Sequence, residues 1–241
     1  FLYGCNGNKQ EEKEDVSVFV DLPQLKAEGE ITAVTLYSST SYFQYKMQPM
    51  GYEYDLINDF AKSQGLKLNI KVAENPARLI EMLEAGEVDV VAYPIPINNK
   101  LKQEVIYCGR EDISSQVLIQ RANKGDKLLT DVTQLIDKNV YVKPNTKYSE
   151  RLKNLDEELG GGIHIQKVEN DSIATEDLIE MVSLGEIPYT ISDDNTARLN
   201  KTYYWNINVD LKVSFPQRSS WVVRKSSPDL AKVINWYISM F

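Results

Sequence analysis

The sequence predicts an α/β fold built as two similar lobes, and three observations carry that prediction. Strand-like and helix-like stretches alternate from residue 31 onward, one helix-to-strand segment recurs in the second half of the chain, and each copy ends in a polar stretch where an open parallel sheet would place a ligand.

The bulk properties set the frame. With 241 residues, 42% hydrophobic and 26% charged, the chain can bury a good core as one large or two small domains. Lys plus Arg number 27 against 35 for Asp plus Glu, a net charge of −8. That balance, without a basic run, gives nucleic acid nothing to hold, so it is not expected as a partner. No apolar stretch approaches the roughly 20 residues a membrane-spanning helix requires. Phe1-Leu2-Tyr3-Gly4-Cys5, followed by a polar run through Asp15, is lipobox-like. Read that way, residues 1–20 are a stub and polar tether, Cys5 carries lipid, and the protein sits in the periplasm as an anchored lipoprotein. The competing reading is an ordinary cysteine in a frayed terminus. Cys108, the other cysteine, reads as a buried strand residue, so no disulfide framework is expected.

The elements follow in order. Asp21-Leu22-Pro23 opens a short helix with Asp as N-cap, and Gly29 stops it. Residues 31–36 are β-prone. Leu56, Ile57, Phe60 and Ala61 form an apolar stripe at helical spacing that ends at Gly65, and residues 66–72 alternate as a half-buried strand does. Residues 78–85 repeat the helical period, Gly86 caps them, and 88–92 read as a strand buried on both faces. The repeat matches Leu79-Ile80-Glu81-Met82 through Gly86-Glu87-Val88 to Leu178-Ile179-Glu180-Met181 through Gly185-Glu186-Ile187. Two such units imply two lobes. The second adds a strand at 140–142, a helix carrying Tyr148, Leu152, Leu155 and Leu159, a Gly160-Gly161-Gly162 turn and a strand at 163–168. Ligand candidates follow the two strand ends: Tyr93, Pro94, Ile95 and, farther on, Lys100 after one; Asp193 and Asp194 after the other.

Gly51-Tyr52-Glu53-Tyr54-Asp55-Leu56 and Gly86-Glu87-Val88-Asp89-Val90-Val91-Ala92 resemble the hallmark stretches of amino-acid-binding periplasmic solute-binding proteins. Ser114-Ser115-Gln116-Val117-Leu118-Ile119, Thr175-Glu176-Asp177-Leu178 and Gly185-Glu186-Ile187-Pro188-Tyr189 are closer to the N-terminal module of membrane-bound lytic murein transglycosylase F. The resemblance runs from about residue 21 to the end. It implies a two-lobed, periplasmic-binding-protein-like (Venus-flytrap) fold. Lobe 1 would hold 21–113 plus 214–241 and lobe 2 the inserted 114–213, with a hinge of two crossing strands near 112–117 and 209–215. It further implies an arginine after the first-lobe strand on a ligand carboxylate and an aspartate after the second-lobe strand on its ammonium, positions at which Lys100 and Asp193 stand. Lysine there departs from the pattern, because an ammonium cannot offer guanidinium's two-pronged donor.

Three further sets complete the candidate pocket. Asn145 and Thr146 lead into the helix of Tyr148, where free N–H groups would receive a carboxylate. Ser39, Tyr42 and Tyr45 follow the first strand, where relatives place an aromatic over the ligand. For the tyrosines and for Lys100, surface placement competes equally; for Asp193 and Asp194 the competing role is a helix cap.

No catalytic constellation is legible. His164, the only histidine, alternates with Ile163 and Ile165 on a predicted strand, which disfavours serine-hydrolase and zinc chemistry, and nothing points to a metal or cofactor. The last helix, from Ser227-Pro228 through Ile238, stops without a cap, so a murein-cleaving domain is expected to follow Phe241. The reading is therefore a monomeric, non-catalytic binder of a small zwitterionic ligand: an amino acid, short peptide or muropeptide fragment. A docking platform on a degenerate binding fold, or a carboxylate-based lyase or dehydratase on the same scaffold, are the alternatives.

Overall fold

The computed structural model describes residues 19–38, 40–170 and 172–241. Cys5 and the 1–20 tether up to residue 18 fall outside them, as does Ser39.

Asp21 does more than the sequence suggests. Its carboxylate accepts the Leu22 N–H at 2.8 Å at the head of α1 (Leu22–Glu28) and also the N–H groups of Asp229 and Leu230, at 3.0 and 2.8 Å, in the first turn of the last helix. One side chain thus caps helices from both chain ends. Gly29, at φ 79°, closes α1 as expected. There follow β1 (Glu30–Thr35), a hairpin of β2 (Phe43–Tyr45) and β3 (Gln48–Met50), α2 (Tyr52–Ser63), β4 (Lys67–Val72), α3 (Pro76–Glu84), β5 (Val90–Pro96), a short α4 (Leu101–Glu104) and the long β6 (Val105–Ser114). The chain continues through β7 (Gln116–Arg121), β8 (Asn139–Val142), α5 (Lys147–Glu158), β9 (His164–Lys167), α6 (Thr175–Leu184), β10 (Tyr189–Asp193), α7 (Asp194–Lys201) and β11 (Ile207–Asn208). It ends in β12 (Gln217–Arg224) and α8 (Pro228–Ile238).

Two five-stranded sheets result, ordered β4-β1-β5-β12-β6 and β11-β7-β10-β8-β9. In the first, β1 runs parallel to β4 and β5, and β12 antiparallel to β5 and β6. In the second, β8 runs parallel to β9 and β10, and β7 antiparallel to β10 and β11. The parallel halves are the βαβ units read from periodicity. The repeat places β5 and β10 at the centres of the two sheets.

Helices cover both faces of each sheet, which is why the central strands read as unbroken apolar runs. In the first sheet Ile31, Ala33, Val90 and Ala92 pack on Ile57 and Phe60 of α2 and Leu230 and Ile234 of α8, while Val34, Val91 and Val222 pack on Leu79 and Leu83 of α3. In the second, Leu118, Val140 and Ile191 meet Leu152 and Leu155 of α5, and Val117 and Ile119 meet Leu178, Ile179 and Val182 of α6. Cys108 is buried in the first core, where burial pushes its thiol up to about 12. No helix among the described residues is long and apolar enough to cross a membrane.

A buried ion pair ties the returning strand to the rest of the first sheet. Arg224, at the end of β12, donates to the carbonyls of Leu83 and Val88 and lies 3.1 Å from Asp89 Oδ1, while Asp89 Oδ2 accepts the Thr32 N–H at 2.8 Å. The side chains are only 9% and 14% exposed. Removing one partner of such a pair strands the other charge. Arg224→Met should therefore destabilise the protein by about 3–5 kcal/mol, read as a fall in the urea midpoint, with part of the loss restored in the double variant Arg224→Met/Asp89→Asn. Equal midpoints in wild type and Arg224→Met would show that the pair does not hold the sheet.

Candidate functional site

The edge at which β1, β5 and β10 end is also where β6 passes into β7, and a cavity of about 280 Å³ opens there. Its walls come from both sheets: Thr40, Ser41, Tyr52, Glu53, Pro94, Arg110, Asp112, Ser114 and Ser219 on the first side, and Lys147, Asp193, Asn195 and Thr196 on the second. A roomier cavity of about 350 Å³ lies at the far end of β7 and β10, but it is lined from the second sheet and its loop alone, and its Arg121 is held by Asp126 at 3.0 Å. Of these two, the cleft cavity is the one lined from both lobes.

Local chemistry positions each group. Gly51 starts α2 at φ 131°, and a Cβ there would lie 2.3 Å from the Ser41 carbonyl oxygen, so only glycine lets the helix begin tight against the 40–42 loop. The first turn then delivers Tyr52 and Glu53 to the cleft. Glu53 is 6% exposed and accepts the Trp221 indole N–H at 2.6 Å. Burial raises its pKa to about 7, against the lowering effect of that hydrogen bond. On β6 the two-residue period of a strand brings Arg110, Asp112 and Ser114 to one face, with Arg110 Nε 3.5 Å from Asp112 Oδ1. Burial raises the Asp112 carboxyl, and Arg110 opposes that rise.

The second wall centres on Asp193. It stands at the N-cap position of α7 yet makes no side-chain capping bond. Its Oδ2 instead takes the Lys147 ammonium at 2.5 Å and the Tyr148 hydroxyl at 3.1 Å. The Lys147 ammonium also lies 5.4 Å from the Tyr148 ring centroid. Burial and the nearby Asp193 charge raise the phenols of both Tyr148 and Tyr93. Tyr93 belongs to β5, so the Tyr148 phenol of the second lobe is influenced electrostatically by a group of the first.

The residues singled out from the sequence fall into two groups. Pro94 and Asp193 line the cavity. Tyr93 borders Asp193 electrostatically, and Asp194 begins α7 with Oδ1 buried and unpartnered among the described residues. Lys100, in contrast, is exposed before α4 and does not line the cavity; the first-side cation that does is Arg110. Ile95 is core, and Tyr42 is buried between the rings of Tyr37 and Tyr54 at 5.3 and 5.6 Å. Tyr45 is 57% exposed on the hairpin. Asn145 adopts φ 57° in the turn, and the Thr146 hydroxyl is spent on the helix cap, accepting from the Ser149 N–H and donating to the Lys143 carbonyl. Sequence reasoning passed over Glu53, Arg110, Asp112 and Lys147. Glu53 carried a legible signal, a carboxylate on the same helical stripe as Ile57 and Phe60.

Comparison with known proteins agrees with this geometry. The family described as bacterial extracellular solute-binding proteins, family 3, matches residues 31–240. A membrane-bound lytic murein transglycosylase F of Desulfosudis oleivorans is 32% identical over 216 residues, covering 88% of this chain and 45% of that protein. One from Pseudomonas fluorescens is 27% identical over 220 residues, covering 90% and 44%. The chain thus spans less than half the length of these curated relatives. Among solved structures, the arginine-bound form of truncated ArgBP from T. maritima superposes with a TM-score of 0.76 at 20% identity, covering 91% of this chain and 99% of that one. A substrate binding protein of an amino acid ABC transporter gives 0.71 at 21%, covering 88% and 92%. At such identities the likeness establishes the two-lobed fold.

Glu53 makes a pH-dependent prediction. Its folded pKa of about 7 lies above the ordinary 4.5, so between these values the folded protein holds a proton that the unfolded chain releases. Stability accordingly falls as pH rises through that window, by up to roughly 3 kcal/mol. Glu53→Gln keeps an acceptor for Trp221 and removes the charge. Its urea midpoint should match wild type near the bottom of the window and exceed it at about pH 8. Parallel pH profiles for the two proteins would refute the assignment.

Proposed function

The chain belongs to the bacterial extracellular solute-binding proteins, family 3, and from that premise we propose that it binds a small zwitterionic ligand in the cleft between its lobes, without catalysis. The observation that carries this reading is the lining of the cleft cavity. Arg110 and Asp112 face it from one lobe and Lys147 and Asp193 from the other, so a molecule bearing both a carboxylate and an ammonium finds a partner for each on opposing walls. The size agrees: about 280 Å³ is on the scale of an amino acid or a short peptide fragment.

The topology supports a hinge. The chain passes from β6 to β7 at Ser114–Gln116 and returns between β11 and β12, and Val117 bridges to Lys212 where the passages run side by side. We place the hinge at these two crossings, near 112–117 and 209–215, between lobe 1 (21–113 with 214–241) and lobe 2 (114–213). A ligand touching both walls favours the closed form by its differential affinity, and that bias is what a binding module passes on. Because relatives of about twice this length are membrane-bound lytic murein transglycosylases, we infer that the chain serves as the sensory module of a murein-cleaving envelope protein. Muropeptide fragments then belong in the ligand class, and a lipid on Cys5 would be the anchor.

The test is a thermal-shift screen against amino acids, short peptides and muropeptide fragments, followed by calorimetry. A ligand at about a hundred times its Kd should add roughly 2.7 kcal/mol of stability. Asp193→Asn and Arg110→Gln should each weaken binding by at least about tenfold while the fold persists. A screen flat for every zwitterion, on protein freed of co-purified ligand, would sink this reading and favour a docking platform.

A further inference from the structure

We propose that Lys147 is a specificity-determining residue whose ammonium occupies the seat that Asp193 would offer to a ligand's ammonium, so that zwitterionic ligands bind only by displacing it. The proposal rests on the zwitterion reading above and adds a built-in competitor to it.

Four observations carry it. Lys147 and Asp193 both line the cleft cavity, their side chains 24% and 20% exposed, and Nζ lies 2.5 Å from Oδ2. A lysine ammonium offers the same charge and the same three donors as an α-ammonium. Tyr148 donates to that same oxygen and presents its ring to the lysine, so the seat is already furnished with the hydroxyl and the aromatic face that suit an ammonium. Finally, Lys147 is the first residue of α5, where the helix dipole disfavours a cation. A lysine at that position does not serve the helix, which Thr146 caps without it. Its placement is explained by the carboxylate across the way.

The consequence is selective. Asp193 has its positive charge before any ligand arrives, and a second ammonium must either repel the first or replace it. Ligands with an ammonium therefore lose affinity to the exchange, and ligands without one do not. Arg110, paired with Asp112 on the opposite wall, is untouched by it.

Lys147→Met keeps the helix propensity and, to within one atom, the length of the side chain, and removes its charge and its donors. Calorimetry on the whole chain would compare wild type, Lys147→Met and Lys147→Met/Asp193→Asn, using L-amino acids, the matching α-hydroxy acids, and methylammonium as a bare ammonium. The amino acid that binds best should bind Lys147→Met about tenfold more tightly than wild type, with no gain for its hydroxy acid and no gain in the double variant. Methylammonium should raise the melting temperature of Lys147→Met alone, with sodium as the ionic control. Equal or weaker amino-acid binding by Lys147→Met, or a gain that survives loss of Asp193, would overturn the proposal. Should no amino acid bind any form while methylammonium still stabilises only Lys147→Met, the zwitterion reading fails and Lys147 stands as the occupant of the seat. Should methylammonium discriminate nothing either, both fail.

Discussion

The architecture depends on one buried pair, Arg224 with Asp89. It brings the last strand of the chain to the start of β5, and through Asp89 Oδ2 it also holds β1. With β12 between β5 and β6, the chain leaves the first sheet after Ser114 and re-enters it at Gln217, and the segment between builds the second sheet and its helices. Two crossings follow from that insertion, and the cleft cavity opens where they run. The aspartate of the Val88-Asp89-Val90 stretch, part of the segment that resembles the family's hallmark, is structural: it neutralises the arginine that joins β12 to the rest of the first sheet.

The cleft contrasts with the cores beneath it. Each of its charges is compensated inside its own wall, Arg110 by Asp112, Lys147 by Asp193, and Glu53 by burial that favours the proton. Such a site gains little from simple charge attraction. On the reading proposed above, a ligand would bind by exchange, substituting for an existing partner. On the proposal made above, a zwitterion that unpaired Lys147 would free a cation in the same cavity that receives its carboxylate.

Much of the fold was legible because periodicity reports burial. The α2 stripe, the α3 and α6 repeat and the alternating strands all follow from which faces meet apolar surface. The β2–β3 hairpin was not legible, since its turn places Lys46 and Met47 at φ 49° and 64°, where glycine or asparagine is the usual signal. Nor was Arg110, whose importance comes from the β6–β12 pairing of segments far apart in sequence. Asp193 was read correctly to the strand end, but the choice between capping α7 and facing the cleft depended on Lys147 and Tyr148, which arrive from another helix. Local pattern locates strand ends; which side chain commands the cavity is decided by tertiary neighbours.

The repeat explains why the two walls differ. β5 and β10 are equivalent central strands, yet β10 ends at Asp193 and turns directly into α7, whereas β5 runs on through Pro94 and Pro96. On its far side β5 pairs with Ser220 and Ser219 of β12, and Ile97 donates to the Arg218 carbonyl. By alternation, the positions of Pro94 and Pro96 direct their missing N–H groups to the opposite side, where β1 has already ended at Thr35. The prolines forgo no ladder bond there, and they prevent another strand from adding along that edge. The strand end that carries Asp193 in the second lobe is thus stiff sheet in the first, and the cation that lines the first wall, Arg110, stands on β6, two strands away across β12.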